Sequence, residues 1–193
     1  MASSLTGLRR TLTWNDFTRK DDVSRPQPGD VAMVAQTRAV FAVQGLSSGP
    51  VDGSRPTAYK LADRVKVVVR LKRDECWVAA WVVAGSTSGP ERQRLLKHEQ
   101  GHYDIVALLA RDMLAEITAV AKNLYASAQE PIDDANAVMA RYDPYYDSVQ
   151  ELYDEKTNHG DVRNEQQRWN GFLLRAFGGI ALLDVLHDLR IMQ

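Results

Sequence analysis

The second half of the sequence predicts one long amphipathic helix. From Ser88 to about Tyr125, apolar residues recur at intervals of three and four, which places them on one face of an α-helix. Ser88 and Glu91 have the spacing of a capping box, and Pro90 lies in the first turn, where its missing N–H is not needed. We therefore expect the helix to begin next to Ser88 and to end near Tyr125.

Residues 1–90 have a different texture, with short β-prone runs between loops rich in Pro, Gly, Ser and Asp. The clearest strand is Val65–Leu71, in which alternate apolar residues predict one buried face. Because a polar turn, KRDE, separates this strand from the run CWVAAWVVA, we expect the two runs to form a hairpin. The runs RAVFAVQ and LTWNDF are weaker strand candidates.

Residues 91–193 are predicted to be mainly helical. After the first helix, the pattern favours a second helix over residues 131–154 and a third over residues 162–177, before a Gly-Gly pair interrupts it. The expected fold class is therefore α+β, mainly β over residues 1–90 and mainly α afterwards. A chain of this length with 45% hydrophobic residues can form one compact core, so residues 1–193 are expected to be a single domain.

Charge and cysteine content exclude several classes of protein. The 24 basic and 25 acidic side chains give a formal net charge of −1, so we do not expect a nucleic-acid binder. Cys76 is the only cysteine, which excludes an internal disulfide and leaves His, Asp and Glu as ligands for any metal site. Because the sequence has no signal-peptide core and no apolar run of about 18 residues, we expect a soluble chain with no integral membrane segment.

The predicted long helix carries an H-E-x-x-H motif, His98-Glu99-Gln100-Gly101-His102. Residues four apart lie on the same helix face, so the imidazoles of His98 and His102 can bind one metal ion. Glu99 projects about 100° away around the helix, which is too far to join the same ligand cluster but close enough to reach a water at the metal. We predict that the two histidines are metal ligands and that Glu99 is the general base.

The metal that suits these ligands is Zn²⁺, because neutral imidazoles bind zinc better than magnesium or calcium, which prefer oxygen shells. Zinc held by three protein groups keeps a position for water, lowers the pKa of that water and polarises a carbonyl group. Glu99 would take the proton from the water and pass it to the leaving amine. The motif therefore predicts a zinc-dependent hydrolase, and specifically a peptidase whose partner is a peptide or protein substrate.

The third ligand has to come from a later part of the chain. The only other histidine outside the C-terminal segment is His159, and the adjacent Gly160 would permit a sharp turn towards the site. His159 is therefore the first choice for the third ligand. Asp154 and Glu151 remain alternatives, because a carboxylate from a later helix also completes zinc sites.

Two further residues near these ligands have both a structural and a functional interpretation. Tyr153 is a candidate catalytic residue, since its phenol could donate to the oxyanion that forms on a substrate, but it could equally be a packing residue like the neighbouring tyrosines. Gly101 costs the helix about 1 kcal/mol relative to alanine, and it is explained most simply if another backbone passes close to the helix.

The order of these elements resembles a family of bacterial proteins known as domain of unknown function 922 and described as secreted zinc-dependent proteases. The resemblance covers about residues 12–170, and its most specific part is H-E-Q-G-H followed by an aromatic residue, Asp and Ile. The positions that carry it are Trp14-Asn15-Asp16-Phe17, a strand pair ending in tryptophan, Leu95 to Ile105, Tyr153-Asp154, Thr157, His159-Gly160, Gln167 and Trp169.

This resemblance implies a zincin-like arrangement. In that arrangement a small mixed or antiparallel N-terminal sheet packs on the active-site helix, and its edge strand can pair with an extended peptide. The resemblance implies no particular substrate and no oligomeric state. Members of the family are often exported, whereas this sequence shows no leader, so the compartment stays open.

Two other functions fit the same residues. The chain could be a non-catalytic binding module in which zinc stabilises the helix packing, with Asp154 and His159 ligating together in a closed shell. It could instead be an interaction protein without a metal, which binds a partner through the long helix and the charged region of residues 130–168. The two alternatives differ from the hydrolase in the coordination shell and in the response of stability to a chelator.

Overall fold

The structure, a computed structural model, describes residues 3–27, 32–52, 57–85 and 87–188. Short strands precede a mainly helical C-terminal half, so the predicted α+β class is confirmed. The strands are β1 (Ser4–Thr6), β2 (Thr18–Lys20), β3 (Ala35–Gln36), β4 (Ala39–Gln44), β5 (Ser48–Pro50), β6 (Tyr59–Leu61), β7 (Lys66–Leu71) and β8 (Trp77–Ala79). The helices are α1 (Ala80–Val83), α2 (Gly89–Val120), α3 (Glu130–Thr157), α4 (Arg163–Phe177) and α5 (Leu182–Asp188), with a 3-10 turn at Trp14–Asp16.

The long helix α2 begins where the sequence predicts, because the hydroxyl of Ser88 accepts a hydrogen bond from the backbone N–H of Glu91 at 3.3 Å. It ends at Val120, about one turn before the predicted end. Beyond that point Tyr125 exchanges two backbone hydrogen bonds of 2.9 Å with Tyr59 in β6. Because Tyr125 pairs with β6, the helix ends before this residue.

The later helices also lie close to their predicted positions. Helix α3 starts one residue earlier than expected and continues to Thr157, where Asn158 adopts a positive φ of 47° and ends it. Helix α4 begins at Arg163, one residue later than expected. Among the described residues, none of the helices is both long enough and apolar enough to cross a membrane.

The N-terminal β-structure is small, as expected, but the described strands are divided among three sheets. In the first, β7 lies between β1, to which it is parallel, and β4, to which it is antiparallel. In the second, β8 lies between parallel β2 and antiparallel β3, while β5 and β6 form an antiparallel pair. The predicted β7–β8 hairpin is wrong, because β1 and β4 already occupy both edges of β7.

The run LTWNDF, predicted as a strand, forms the 3-10 turn at Trp14–Asp16 instead. The carboxylate of Asp16 accepts hydrogen bonds from the backbone N–H of Thr13 at 2.9 Å and from its hydroxyl at 3.2 Å. Such local bonds between a short acidic side chain and the backbone compete with strand pairing. The turn is further held by an ion pair of 2.5 Å between Asp16 and Arg10.

Helix α2 lies at the centre of the fold, where it contacts β1, β3, β4 and β7 as well as α3, α4 and α5. The predicted buried face of β7 is confirmed, since Val67, Val69 and Leu71 are all buried. Much of the core comes from the C-terminal half of α2 and from the helices that pack on it, with further buried residues in β3, β6, β8 and α1. The N-terminal half of α2 also buries polar side chains.

Candidate metal centre

The N-terminal half of α2 buries three polar side chains next to each other. His98, Glu99 and His102 are 2%, 3% and 8% exposed, although groups of this polarity are rarely buried without partners. The two imidazoles lie one helical turn apart on the same face, and their Nε2 atoms are 3.2 Å apart. Helix geometry therefore brings both rings to one point, as their spacing in the sequence predicts.

Helix α3 runs antiparallel to α2 and brings a carboxylate to the same point. The Oδ1 atom of Asp154 lies 3.0 Å from Nε2 of His98 and 3.0 Å from Nε2 of His102. One turn earlier on α3, Gln150 lies opposite His102. His98 and His102 are four residues apart on α2, and Gln150 and Asp154 are four residues apart on α3. This matched spacing sets the register in which the two imidazoles meet the Asp154 carboxylate.

The turn after α3 brings a third imidazole beside the carboxylate. Nδ1 of His159 is 3.3 Å from Oδ1 of Asp154. Asn158, His159 and Gly160 have consecutive positive φ angles of 47°, 49° and 84°, a conformation that costs about 1–2 kcal/mol for each non-glycine residue. The guanidinium of Arg94 in α2 holds this turn by donating to the carbonyl of Gly160. The strained backbone therefore persists where it directs His159 towards the site.

Gly160 lies directly against the first motif histidine. A Cβ built at this position would lie 2.9 Å from Cβ and 3.0 Å from Cγ of His98, closer than real side chains pack. The backbone N–H of Gly160 donates to the hydroxyl of Thr157 at 3.3 Å. Glycine is required here both by the positive φ and by this close approach.

His98, Asp154 and His159 form a group that could hold a metal ion. In a tetrahedral shell with metal–ligand bonds of about 2.0–2.1 Å, ligand atoms lie about 3.3–3.4 Å apart. The distances among His98, His102 and Asp154 are 3.2, 3.0 and 3.0 Å, and His159 is 3.3 Å from Asp154. The imidazoles and the carboxylate thus have a spacing that suits ligands of one metal ion.

The electrostatics of the group favour a positive charge at its centre. Burial alone would raise the pKa of Asp154, but the hydrogen bonds and charges of His102 and His98 outweigh it and lower that pKa strongly. Burial would likewise lower the pKa of His102, but the adjacent Asp154 and Glu99 carboxylates raise it. Both shifts arise largely from the contact between the Asp154 carboxylate and the imidazoles that face it.

Glu99 lies beside this group with an unsatisfied carboxylate. Its Oε2 atom is buried and has no hydrogen-bond partner among the described residues. Its side chain lines a cleft of about 190 Å³, whose walls are residues 33–39 on one side and the ends of His98, His102, Asp154 and His159 on the other. A buried carboxylate oxygen without a partner is costly, which makes Glu99 a candidate functional residue of this cleft.

The other predicted site residues are placed differently. Glu151 lines the same cleft but is exposed and is not part of the metal-binding group. Tyr153 is fully buried and stacks on His98, with ring centroids 4.7 Å apart. Its hydroxyl donates to the backbone carbonyl of His98 at 3.2 Å, and burial raises its pKa. A catalytic role for Tyr153 stays a prediction, and in this structure its hydroxyl is engaged within the fold.

Tyr153 also explains Gly101, which was expected to admit a neighbouring backbone. A Cβ built at Gly101 would lie 2.6 Å from Cζ of Tyr153 and closer still to its hydroxyl oxygen. The close neighbour is therefore a side chain from α3 rather than a backbone. The glycine lets a phenol pack against the helix between the two histidines.

The sequence did not indicate two glutamines that contact the motif histidines. Gln166 of α4 lies 3.1 Å from Nδ1 of His98, and Gln150 of α3 lies 2.5 Å from Nδ1 of His102. The one available signal was the position of Gln150 four residues before Asp154, which puts both on one face of a helix. Nothing in the sequence around Gln166 distinguishes it from its neighbour Gln167.

Comparison with known families identifies one match. Residues 91–160 match the model of the family described as "Bacterial protein of unknown function (DUF922)". This confirms the resemblance for the part of the chain that contains the motif, Asp154 and His159. Comparison with curated proteins and with solved structures gives no match.

Proposed function

We propose that this chain, with its match to the DUF922 family over residues 91–160, is a zinc-dependent hydrolase, and specifically a metallopeptidase. The observation that carries the proposal is the convergence of Nε2 of His98, Nε2 of His102 and Oδ1 of Asp154 within 3.2 Å of each other. The partnerless carboxylate oxygen of Glu99 in the same cleft supports it.

For the zinc ligands we propose His98, His102 and Asp154. The sequence favoured His159 as the third ligand, and that choice stays a prediction. The geometry favours Asp154, because its Oδ1 lies 3.0 Å from both motif imidazoles, whereas His159 contacts the same Oδ1 at the longer distance of 3.3 Å. With three protein ligands, one position would remain for water or substrate.

When bound, zinc would supply a Lewis acid that polarises a carbonyl group and lowers the pKa of the attacking water. Glu99 would accept the proton of that water on its buried carboxylate and deliver it to the leaving amine. The Oε2 atom has no hydrogen-bond partner among the described residues, so no donor from the fold competes with that water. Asp154 would neutralise part of the cationic charge while the two imidazoles stay neutral.

The position of β3 supports a peptide as the substrate. Strand β3 lies at the edge of its sheet and is paired only with β8 among the described residues. Residues 33–39, which include β3, form a wall of the cleft that also contains Glu99. The hydroxyl of Thr37 in this wall is buried and has no partner within the described ranges. An extended peptide paired with this edge would pass beside Glu99, as in a zincin-like enzyme.

A second candidate is a non-catalytic module in which zinc stabilises the packing of α2 on α3. The observation in its favour is His159, which is close enough to Asp154 to act as a fourth ligand. A shell closed by four protein ligands would leave no position for water. The two candidates therefore differ in whether Asp154 and His159 bind the ion together.

The test of the hydrolase is Glu99→Gln, measured with a mixture of fluorescence-quenched peptides. We expect this variant to retain zinc and to lose about 10²–10⁴-fold in turnover, the usual contribution of a general base. The control is Glu91→Gln, which changes an exposed acid on the first turn of the same helix and should retain full activity. A zinc-loaded Glu99→Gln protein with wild-type turnover would contradict the assignment of the base.

Elemental analysis after dialysis tests the ligands in the same preparations. His98→Ala and Asp154→Ala should lose zinc, whereas His159→Ala should retain it. Retention by Asp154→Ala together with loss by His159→Ala would restore the choice made from the sequence. A wild-type protein that takes up no zinc would refute the proposed function.

A further inference from the structure

Each motif histidine contacts a glutamine amide through Nδ1, the ring nitrogen that does not face Asp154. Nδ1 of His98 is 3.1 Å from Oε1 of Gln166, and Nδ1 of His102 is 2.5 Å from Oε1 of Gln150. An amide oxygen only accepts hydrogen bonds, so each of these ring nitrogens has to carry the proton. The lone pair of each neutral ring is then on Nε2, which faces Asp154.

The orientation of the Gln150 amide is fixed by a second bond. Its Nε2 donates to the backbone carbonyl of His102 at 3.0 Å. A carbonyl cannot donate, so the NH₂ end of the amide has to face it and the oxygen end has to face the ring. Gln150 thereby binds the backbone and the side chain of the same histidine at once.

The orientation of the Gln166 amide is fixed by a closed circuit of hydrogen bonds. The backbone carbonyl of His98 accepts from the hydroxyl of Tyr153 at 3.2 Å, so the phenolic oxygen is left to accept. It accepts from Nε2 of Gln166 at 2.7 Å, while Oε1 of the same amide accepts from the His98 ring. The circuit begins and ends on His98, and both Tyr153 and Gln166 are buried, so water does not compete with it.

We infer that Gln150 and Gln166 are positioning residues, which fix the tautomer and ring orientation of His102 and His98 so that both present Nε2 to one cation. The inference rests on the proposed zinc site. Groups that hydrogen-bond the outer nitrogen of a metal-binding histidine typically change metal affinity by about 10–100-fold when they are removed. Amides achieve this orientation without adding charge to a cleft that already contains the carboxylates of Asp154 and Glu99.

The experiment measures the affinity of the 193-residue chain for Zn²⁺ by competition with a chromophoric chelator. Gln150→Leu and Gln166→Leu should each bind zinc about 10–100-fold more weakly than the wild type. Gln167→Leu is the matched control, because it makes the same change at the adjacent, exposed position of α4 and should leave the affinity unchanged. Circular dichroism in the presence of chelator checks that each variant is folded.

A conservative variant separates positioning from packing. Gln166→Glu keeps an acceptor at Nδ1 of His98, and the hydroxyl of Tyr153 can rotate to donate to its second oxygen. We expect this variant to recover most of the affinity that Gln166→Leu loses. In the zinc-loaded wild type, the Nδ1 proton of His98 should give a slowly exchanging imidazole signal in ¹H NMR, which should be lost in Gln166→Leu.

The results separate failure of this inference from failure of the proposed function. If the wild type binds zinc and both leucine variants bind it within about twofold, the two glutamines do not position the ligands and the inference is wrong. An equal loss in Gln167→Leu, or no recovery in Gln166→Glu, also contradicts it. If the wild type binds no zinc, the proposed function fails and the inference fails with it.

Discussion

The two halves of helix α2 differ in the kind of side chain that they bury. Between residues 94 and 104, the helix buries His98, Glu99 and His102, and most of the polar atoms of these side chains have partners on α3 or α4. Between residues 105 and 117, it buries apolar side chains almost throughout. One continuous helix therefore carries a polar half and an apolar half.

The difference shows what each half depends on. Apolar burial is non-directional and tolerates small shifts, so the C-terminal half needs only neighbours of suitable volume. Polar burial requires each donor to meet an acceptor, so the N-terminal half requires one register between α2 and α3. We expect the apolar half to determine the stability of the fold and the polar half to determine metal binding. A substitution in the apolar half should therefore change stability but not metal affinity.

The largest expected effect on stability is that of Leu109→Ala. Leu109 is fully buried in the apolar half, and loss of its side chain should lower the free energy of unfolding by about 2–5 kcal/mol. Urea denaturation in the presence of a chelator measures this change. Zinc affinity should stay at the wild-type value, and a large fall in affinity would break the division between the halves.

A smaller effect is expected for Gly101→Ala, in the polar half. Helix propensity alone would favour alanine by about 1 kcal/mol, but the new Cβ would overlap the phenol of Tyr153, and overpacking costs about 1–3 kcal/mol. We expect a net loss of stability and weaker zinc binding, measured by the same two assays. The matched control is Gly171→Ala in α4, where a Cβ meets nothing within 4 Å. If both variants are more stable than the wild type, the phenol of Tyr153 moves aside at little energetic cost and the expected overpacking is contradicted.

The smallest effect concerns Asp112, a buried acid in the apolar half. Burial raises its pKa above the ordinary value of an aspartate, although hydrogen bonds from Leu182 and Arg111 oppose the shift. A raised native pKa stabilises the fold at low pH, and this contribution is lost as pH rises from about 4 through the native pKa. Relative to Asp112→Asn, the wild type should therefore become less stable over that interval.

Urea denaturation of the wild type and of Asp112→Asn at pH values from 3 to 7 measures this difference. Asp143→Asn is the control, since Asp143 is exposed on α3 and its removal should give no such trend. A difference between wild type and Asp112→Asn that does not change with pH would contradict the assigned shift.

The sequence predicted the parts of this site that depend on local geometry. His98, Glu99 and His102 are brought together by the pitch of one helix, so their spacing alone predicts a shared site. Gln150 and Gln166 belong to two other helices. Their contacts depend on how these helices pack on α2, which a single sequence does not specify.

The strands show the same limit. The alternation of apolar residues predicted the buried face of Lys66–Leu71, because the faces of a strand follow from its own pleat. It did not predict that β1 and β4 occupy both edges of this strand, since the pairing joins residues more than twenty positions apart. The short KRDE turn favoured a hairpin between β7 and β8. Instead, β7 pairs with β1 and β4, which are distant in sequence.

The close approach of Gly160 limits the rotation of the first motif imidazole. Gly160 lies so close that a Cβ on it would overlap Cβ and Cγ of His98, and the phenol of Tyr153 stacks on the His98 ring at 4.7 Å between centroids. A ring enclosed in this way cannot readily turn over about its Cβ–Cγ bond to exchange its two nitrogens. The rotational entropy of the ring is lost when the chain folds rather than when an ion arrives, so capture of the ion requires less ordering of the protein.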